Sequence, residues 1–562
     1  MADLGLLALV IAFVVALFGI ASNLIGARQG RYELVVAGRN ALYVVSGFVA
    51  LASLILIISL LRRDYSLAYV ANVVSNDQSV FFNIAAFWGG QAGSLLFWTL
   101  ILSGYATAVT IGQWKHQPIL RPYVTAVLLA VQLFFLTVLL FAANAFNRLW
   151  LMPDGTTLGA TFAPAGAVPA MISDGSGLNP LLQNYWMVIH PVMLYLGWIG
   201  LIIPFAFAVA ALVTRQLGNG WVRAIRRWTL VPWMFLTAGI LMGSQWAYVE
   251  LGWGGYWAWD PVENASFLPW LTATAFLHSI MIQERRGMLK VWNLVLVFLT
   301  FELTIIGTFI TRSGVIESVH AFALSNIGPL FFSFIVLSMF GYLALLWTRL
   351  PLLRSSNQLD SVLSRESAFL FNNLLFLGIA FVTLFGTFYP IISDLFSNFL
   401  PVEKMSFAAP WFNKVTGPLF ILLIALMGSA PLLSWRRSST ETLRKNFTFP
   451  LLFGLGTMIL VYPLGIQRIY PMLSFGVAGF VLGGILQEFY RGGKVRRRNK
   501  GESWPGALYQ LLRRNQRRYG GYIVHFGVIL IMVAIIGANA YQTEAQANSC
   551  RSASRCRSMT TA

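Results

Sequence analysis

The feature that most constrains this chain is a series of apolar runs, each about twenty residues long, that recurs along most of its length. Of its 562 residues, 57% are hydrophobic and 10% are charged. The runs do not alternate as barrel strands do, and a helix bundle is the other structure that satisfies its backbone in lipid. We therefore predict an all-α polytopic membrane protein with about 14 spans, at 4–25, 41–61, 83–111, 121–143, 185–213, 229–250, 266–283, 291–311, 327–348, 367–391, 415–434, 448–464, 470–487 and 521–541.

The distribution of positive charge predicts the orientation of these spans. About 29 of the 39 lysines and arginines fall in alternate loops, with ten of them in 488–520. By the positive-inside rule these loops are cytoplasmic, and we interpret the basic clusters as topology signals that contact anionic lipid, with no nucleic-acid partner. The first span lacks a cleavage pattern and is expected to remain as an anchor. Both termini are then outside, together with loops 62–82, 144–184, 251–265, 312–326 and 392–414.

The segment 253–264, in the third of these outer loops, is rich in aromatic residues. It holds Trp253, Trp257 and Trp259, followed directly by Asp260 and, three residues later, Glu263. A girdle of interfacial aromatics is one interpretation, since Trp and Tyr concentrate at membrane surfaces. The attached carboxylates favour a shelf for a large, flat, apolar ligand with polar edges, such as haem.

Four of the five histidines lie within or beside spans, where a histidine is a candidate functional residue. His190 lies at the outer end of the fifth span, and His320 lies in the outer loop before the ninth. Both are on the predicted face of the aromatic segment, and neutral imidazole is a good ligand for haem iron. His116 lies in a short cytoplasmic loop and is interpreted as a solvated surface residue.

His278 and His525 lie inside spans, each roughly 9–10 Å from the cytoplasmic end. At matched depth they could ligate one haem iron from both sides, or each could form an interhelical hydrogen bond, and the spacing leaves both open. A zinc site is less favoured because no third ligand is visible. The two cysteines, Cys550 and Cys556, form no C-x-x-C-H motif, so the chain is not expected to attach haem to itself.

Several segments together carry a family resemblance. They resemble, in the family's order, the CcmF family, haem lyase subunits of the bacterial system I cytochrome c maturation pathway, and 253–264 is similar to the Trp-rich WWD signature. The resemblance covers about residues 40 to 545 and implies a transmembrane haem-handling bundle over 1–545, with the WWD segment 251–266 on the outer face. The segments are 88–98, 174–191, 253–264, 307–320 and 518–525.

The resemblance implies two haem sites. His190 and His320 would ligate a haem delivered by the chaperone CcmE, and His278 and His525 would ligate a resident b-type haem. Arg312 is a candidate partner for a haem propionate, because its geometry matches a carboxylate. The outer site would be lined by Trp253, Trp257, Trp259, Asp260, Glu263 and Asn264, with the two acids expected to orient the loop or contact a partner.

The implied reaction joins haem vinyl groups to the two thiols of an apocytochrome c C-x-x-C-H motif. It takes place outside the bacterial inner membrane. The implied partners are CcmE, CcmH/CcmI-type subunits and apocytochrome c, with a quinol as the electron donor to the resident haem. No nucleophile from the enzyme is needed, since position and orientation supply much of the rate.

The sequence departs from the family in three places. Tyr256 and Ala258 stand where the family usually has Trp and Phe, and Ala92 stands where it has Glu. After Glu544 the family continues into an outer-face domain that is expected to be absent here. Residues 546–562 are polar and are expected to be disordered.

Two other function classes were weighed against the lyase. A haem exporter or carrier similar to CcmC would present haem without forming thioethers. A secondary transporter would have inverted repeats and broken midplane helices, and no clear repeat is visible. Length and the intramembrane histidine pair favour the lyase.

Overall fold

A computed structural model describes residues 1–114, 116–251, 255–314, 316, 327–354, 359–397 and 405–541. This part of the chain is dominated by long apolar helices, which confirms the predicted all-α membrane bundle. Within the described ranges, twelve helical segments have the length and hydropathy of a membrane span. The other two predicted spans, 229–250 and 448–464, coincide with helices that do not meet that measure, so the count of 14 stays a prediction.

The chain divides into two compact units. The first comprises residues up to 358 together with 376–416, and the second comprises 359–375 and the chain from 417 onward. The helices in chain order are α1 (Ala2–Gln29), α2 (Tyr32–Arg62), α3 (Ala68–Val73), α4 (Val80–Gly89), α5 (Gln91–Gln113), α6 (Arg121–Phe141), α7 (Tyr185–Gly200), α8 (Ile202–Thr214), α9 (Asn219–Glu250), α10 (Pro261–Arg286), α11 (Lys290–Ser313), α12 (Gly328–Trp347), α13 (Arg365–Ser397), α14 (Ala409–Ser429), α15 (Thr440–Val461), α16 (Ile469–Lys500), α17 (Trp504–Arg514) and α18 (Gln516–Tyr541).

Two predicted spans, 83–111 and 185–213, are each interrupted. The first is divided between α4 and α5 at Gly90, which is extended at φ −114° and ψ 166°. The second is divided between α7 and α8, and α7 ends at Gly200. Pro204 explains this break, because it has no N–H to donate and its ring clashes with the carbonyl four residues earlier, that of Gly200.

Small residues allow α7 and α9 to pack closely. A Cβ added at Gly197 would lie 2.6 Å from Leu236 Cβ, and one added at Gly239 would lie 2.7 Å from the backbone nitrogen of Leu194. The two backbones therefore contact each other through glycines, as is common for membrane helices. This packing positions the outer half of α7, which carries His190.

The loop 144–184, which is predicted to lie on the outer face, contains a small antiparallel sheet that was not predicted. Its strands are β1 (Arg148–Leu151), β2 (Thr157–Ala160) and β3 (Val168–Pro169), in the order β2-β1-β3. Strands of two to four residues are too short to give a periodicity signal, which explains why the sheet was not predicted.

Candidate functional site

The start of α10 is built by the two carboxylates of the aromatic segment. Asp260 is the N-cap and accepts a hydrogen bond from the Val262 N–H at 3.0 Å. Glu263 Oε2 accepts from the N–H groups of Asp260 and Ala258, each at 3.0 Å. This reciprocal capping box satisfies donors that a helix start leaves unpaired. Both acids therefore orient the loop, in line with the prediction, whereas a contact with haem stays a prediction.

Trp259 is held in an unusual conformation by contacts to distant helices. Its φ is 60°, in the left-handed region that few non-glycine residues adopt. Its ring stacks on Phe412 with centroids 5.0 Å apart and planes at 8°, and its Nε1 donates to Asn413 Oδ1 at 2.8 Å. The buried Asn264 side chain donates to the Trp259 carbonyl at 3.0 Å and to Thr387 Oγ1 at 2.9 Å. Asn264, one of the predicted site residues, therefore holds the loop in place through these two hydrogen bonds.

The aromatic segment continues inward as a row of rings, which we call the aromatic row: Trp257, Phe267, Trp270 and Trp233. Trp257 meets Trp259 edge-on at 5.9 Å and Phe267 at 5.8 Å. Phe267 stacks with Trp270 at 5.7 Å, and Trp270 stacks with Trp233 at 6.2 Å. The shelf is thus backed by further aromatic rings on α9 and α10.

Two hydrogen bonds between α9 and α10 hold the inner end of this row. Trp270 Nε1 donates to Thr237 Oγ1, and Trp233 Nε1 donates to Thr274 Oγ1, each at 2.8 Å. Buried indole N–H groups need such partners. Sequence reasoning missed Phe267 and Trp270, although their spacing of three residues places them on one helix face. Trp233 lies on another helix, and no local pattern connects it to them.

His190 lies on α7 in a buried, aromatic setting. It is 8% exposed, and its ring stacks with Trp246 of α9 at 5.6 Å. Nδ1 lies 2.9 Å from the Trp186 carbonyl, which can only accept. The proton is therefore on Nδ1, and the lone pair of the neutral ring is on Nε2. Metal-binding histidines have this tautomer, with the other ring nitrogen donating to a carbonyl or carboxylate.

The start of α7 is tied to the outer end of α9. Asn184 caps α7 by accepting from the Trp186 N–H at 2.8 Å, and its Nδ2 donates to Glu250 Oε1 at 2.5 Å. Trp246 Nε1 donates to the Leu181 carbonyl at 3.2 Å. Helix α9 ends at Glu250, ten residues before Asp260 in the chain, so the His190 motif is bonded to the helix that precedes the aromatic segment in the sequence.

The loop that leads to His190 is ordered by Asp174. Its Oδ1 accepts from the backbone N–H groups of Asn76 and Gly175, each at 2.7 Å, and from the Tyr65 hydroxyl at 3.2 Å. The hydrogen bond from Asn76 is the main cause that holds the pKa of Asp174 below its ordinary value. Burial is the main cause that raises the pKa of Tyr65, and the hydrogen bond to Asp174 raises it further.

His278 and His525 both lie on helices at some distance from the end that is predicted to be cytoplasmic. His278 is eight residues before the end of α10, and His525 is nine residues after the start of α18, so they lie about 12 and 14 Å along their axes. Both distances exceed the predicted value, and the matched depth stays a prediction. His278 belongs to the first unit and His525 to the second, and their joint ligation of one haem stays a prediction.

The surroundings of His278 suit a haem ligand. Its Nδ1 lies 2.8 Å from the Thr274 carbonyl, so the lone pair is again on Nε2, and Phe376 is stacked 6.2 Å away. In the second unit, His525 is half-buried on the stretch of α18 that also carries Arg518 and Tyr522. Arg518 pairs with Glu488 of α16, and the Tyr522 hydroxyl donates to the same carboxylate at 3.3 Å.

Arg312 is buried at the outer end of α11. It is 2% exposed, and its Nη1 donates to Ser94 Oγ at 2.8 Å and to the Gln91 carbonyl at 3.3 Å, while its guanidinium lies 5.5 Å from the Trp98 ring. These contacts connect α11 to the start of α5. The expected ion pair between Arg312 and a haem propionate stays a prediction. Two further predicted residues, Trp253 and His320, lie outside the described residues.

This chain is similar to known proteins in sequence and in architecture. A family model described as "Cytochrome C assembly protein" matches residues 88–317. The cytochrome c-type biogenesis protein CcmF of Pseudomonas aeruginosa is 39% identical over 78% of this chain and 64% of its own length. The protein ccl1 of Rhodobacter capsulatus is 36% identical over 94% and 77%, and CcmF of Escherichia coli is 35% identical over 85% and 70%.

One solved structure, "Cytochrome c Heme Lyase CcmF", matches with a TM-score of 0.74 and 33% identity. The match covers 97% of this chain and 78% of that one. The Rhodobacter capsulatus and Escherichia coli relatives are each more than 30% identical to this chain over more than two thirds of both sequences. The chain therefore belongs to the CcmF family of cytochrome c-type biogenesis proteins.

Proposed function

We propose that this chain is a haem lyase subunit, which helps to attach haem to apocytochrome c at the outer face of the bacterial inner membrane. The relatives are named for cytochrome c biogenesis, and the similar solved structure is named a haem lyase. The observation that carries the proposal is the bonding of the His190 motif to α9, the helix that precedes the aromatic segment in the sequence. His190 would supply the iron-binding nitrogen, and the aromatic segment would supply the surface for the porphyrin.

The outer site would hold haem as the substrate. His190 and His320 would bind the iron, and the Trp residues of the shelf would contact the porphyrin face. Asp260, Glu263 and Asn264 would act by holding the shelf through the hydrogen bonds described above. The buried Arg312 would supply positive charge for a propionate.

The reaction depends on how the haem vinyl group and the substrate thiol are positioned, and it needs no nucleophile from the enzyme. A cysteine sulfur of the apocytochrome forms a C–S bond to one vinyl carbon, and the thiol hydrogen is transferred to the other vinyl carbon, so no electrons are gained or lost. The shelf and His190 would fix the vinyl groups in space, and the resulting proximity lowers the barrier. The substrate thiols must be reduced, and the haem iron must be kept in the correct redox state.

We assign a second haem to the intramembrane histidines. His278 and His525 would hold a b-type haem through their Nε2 atoms, and the Nδ1 bond to Thr274 supports this for His278. The chemistry that such a group would supply is one-electron reduction of the outer haem iron, with a quinol as the source of electrons. CcmE would deliver the outer haem, and CcmH/CcmI-type subunits would present the apocytochrome.

Optical spectra of the purified protein test the two haem assignments. We expect a b-type spectrum that survives His190→Ala or His320→Ala and is lost in His278→Ala or His525→Ala. His116→Ala is the matched control, because that histidine is exposed in a cytoplasmic loop. Retention of the spectrum in both intramembrane variants would refute their role.

Holocytochrome formation separates the lyase from a carrier. The chain is expressed with the other maturation components and an apocytochrome, and covalent haem is measured by its stain after denaturing electrophoresis. We expect covalent haem to depend on this chain. If haem is bound and presented but covalent product forms equally well without the chain, it is a carrier similar to CcmC.

A further inference from the structure

Glu302 is a carboxyl group in the middle of the membrane. It lies on α11, twelve residues after Lys290 and eleven before Ser313, so both helix ends are about 16–18 Å away. Its side chain is 4% exposed, and neither carboxyl oxygen has a hydrogen-bond partner among the described residues. An intramembrane acid is costly and therefore a candidate functional group.

No charged side chain of the described part compensates Glu302. On α12 the one titratable group is Tyr342, whose hydroxyl donates to the Leu294 carbonyl at 2.9 Å. On α10 the one titratable group away from the helix ends is His278, whose Nδ1 pairs with Thr274. Helix α8, the other long helix against α11, carries no titratable residue. A carboxylate here would be an isolated buried charge.

A polar neighbour of Glu302 is compatible with the protonated form. Ser338 of α12 lies beside Glu302, and its hydroxyl donates to the Phe334 carbonyl at 2.8 Å. With its hydrogen placed there, the Ser338 oxygen can accept from a carboxylic acid O–H. Burial without a countercharge also disfavours the ionised form.

We propose that Glu302 is a proton-binding site in the membrane interior, protonated at neutral pH and able to exchange its proton with solvent. This inference does not depend on the haem assignments. Loss of the proton would place a negative charge beside α10 and α12, so occupancy of this site sets the charge of the bundle interior.

Infrared difference spectra give a direct test. The spectrum of Glu302→Gln is subtracted from that of the unaltered chain, both purified in lipid nanodiscs. We expect a carbonyl stretch of a protonated carboxylic acid, and we expect it to shift to lower frequency after transfer to deuterium oxide. Absence of the band, or a band that never shifts, would overturn the proposal.

Chemical labelling gives a second measurement. Dicyclohexylcarbodiimide is apolar and reacts with protonated carboxyls, so mass spectrometry should find its adduct on Glu302 at least tenfold more often than on the exposed Asp154. The adduct should be absent in Glu302→Gln. Ser338→Ala is the matched variant: it removes the acceptor but not the acid, so labelling should persist. Preferential labelling of Asp154 would show that Glu302 is ionised or that the reagent cannot reach it. Either outcome contradicts the proposal.

Discussion

Replacement of Gly197 by alanine should separate α7 from α9 and weaken the bundle beside His190. The added Cβ would lie 2.6–2.7 Å from Leu236 Cβ, Cα and N, whereas ordinary contact begins at 3.4 Å. Two of these three atoms belong to the backbone, so no side-chain rotation relieves the clash. The helices must therefore move apart by about 0.8 Å at this point.

The cost follows from overpacking at a tight helix contact. Such changes destabilise by about 1–3 kcal/mol, and we expect a value near the middle of that range. His190 lies seven residues away on the same face of α7, with its Cδ2 3.4 Å from the position of a Cβ on Gly243. Separation of the helices should thus loosen the stacking of His190 on Trp246 as well.

Unfolding of the purified protein by sodium dodecyl sulfate, followed by circular dichroism, measures this effect. Gly104→Ala is the matched control, because a Cβ at Gly104 of α5 meets nothing within 4 Å. It should leave stability unchanged or raise it slightly, since alanine is the better helix former. If Gly197→Ala unfolds at the same detergent fraction as Gly104→Ala, the close packing inferred for α7 and α9 is wrong.

Substitutions at three further residues test the construction of the site. Asp260→Ala should destabilise the start of α10 by about 1 kcal/mol in the same unfolding assay, whereas Asp260→Asn, which can still cap, should cost much less. Trp259→Phe keeps the stacking but loses the bond to Asn413, so about 1 kcal/mol should be lost, and no loss would mean that this bond contributes nothing. The pKa of Asp174 is lowered in the folded state, so its contribution is present above its unfolded value of about 3.9 and is lost as the pH falls through the folded value. The protection factor of the Asn76 amide, which is corrected for the intrinsic pH dependence of hydrogen exchange, should therefore fall in acid, and Asp174→Asn should make that protection factor less dependent on pH.

The features that depend on local composition could be predicted from the sequence. Apolar runs located the helices, and the spacing of Asp260 and Glu263 is that of a capping box, which accounts for their orienting role. The left-handed Trp259 was not predicted, because its conformation is stabilised by Phe412, more than 150 residues away. Glu302 was missed because one acid barely changes the mean hydropathy of a long apolar window. The break at Gly200 follows from Pro204, whose effect on a span depends on how neighbouring helices accommodate it.

Helix α10 begins at the shelf and carries His278 near its other end. Eighteen residues separate Asp260 from His278, which corresponds to about 27 Å along the axis. Because one continuous helix joins the two positions, their spacing does not change when the outer loops move. Insertion of a single residue between them would turn His278 by about 100° around the axis while leaving the shelf in place. The distance from the aromatic segment to His278, one predicted ligand of the second haem, is thus set by the length of helix α10.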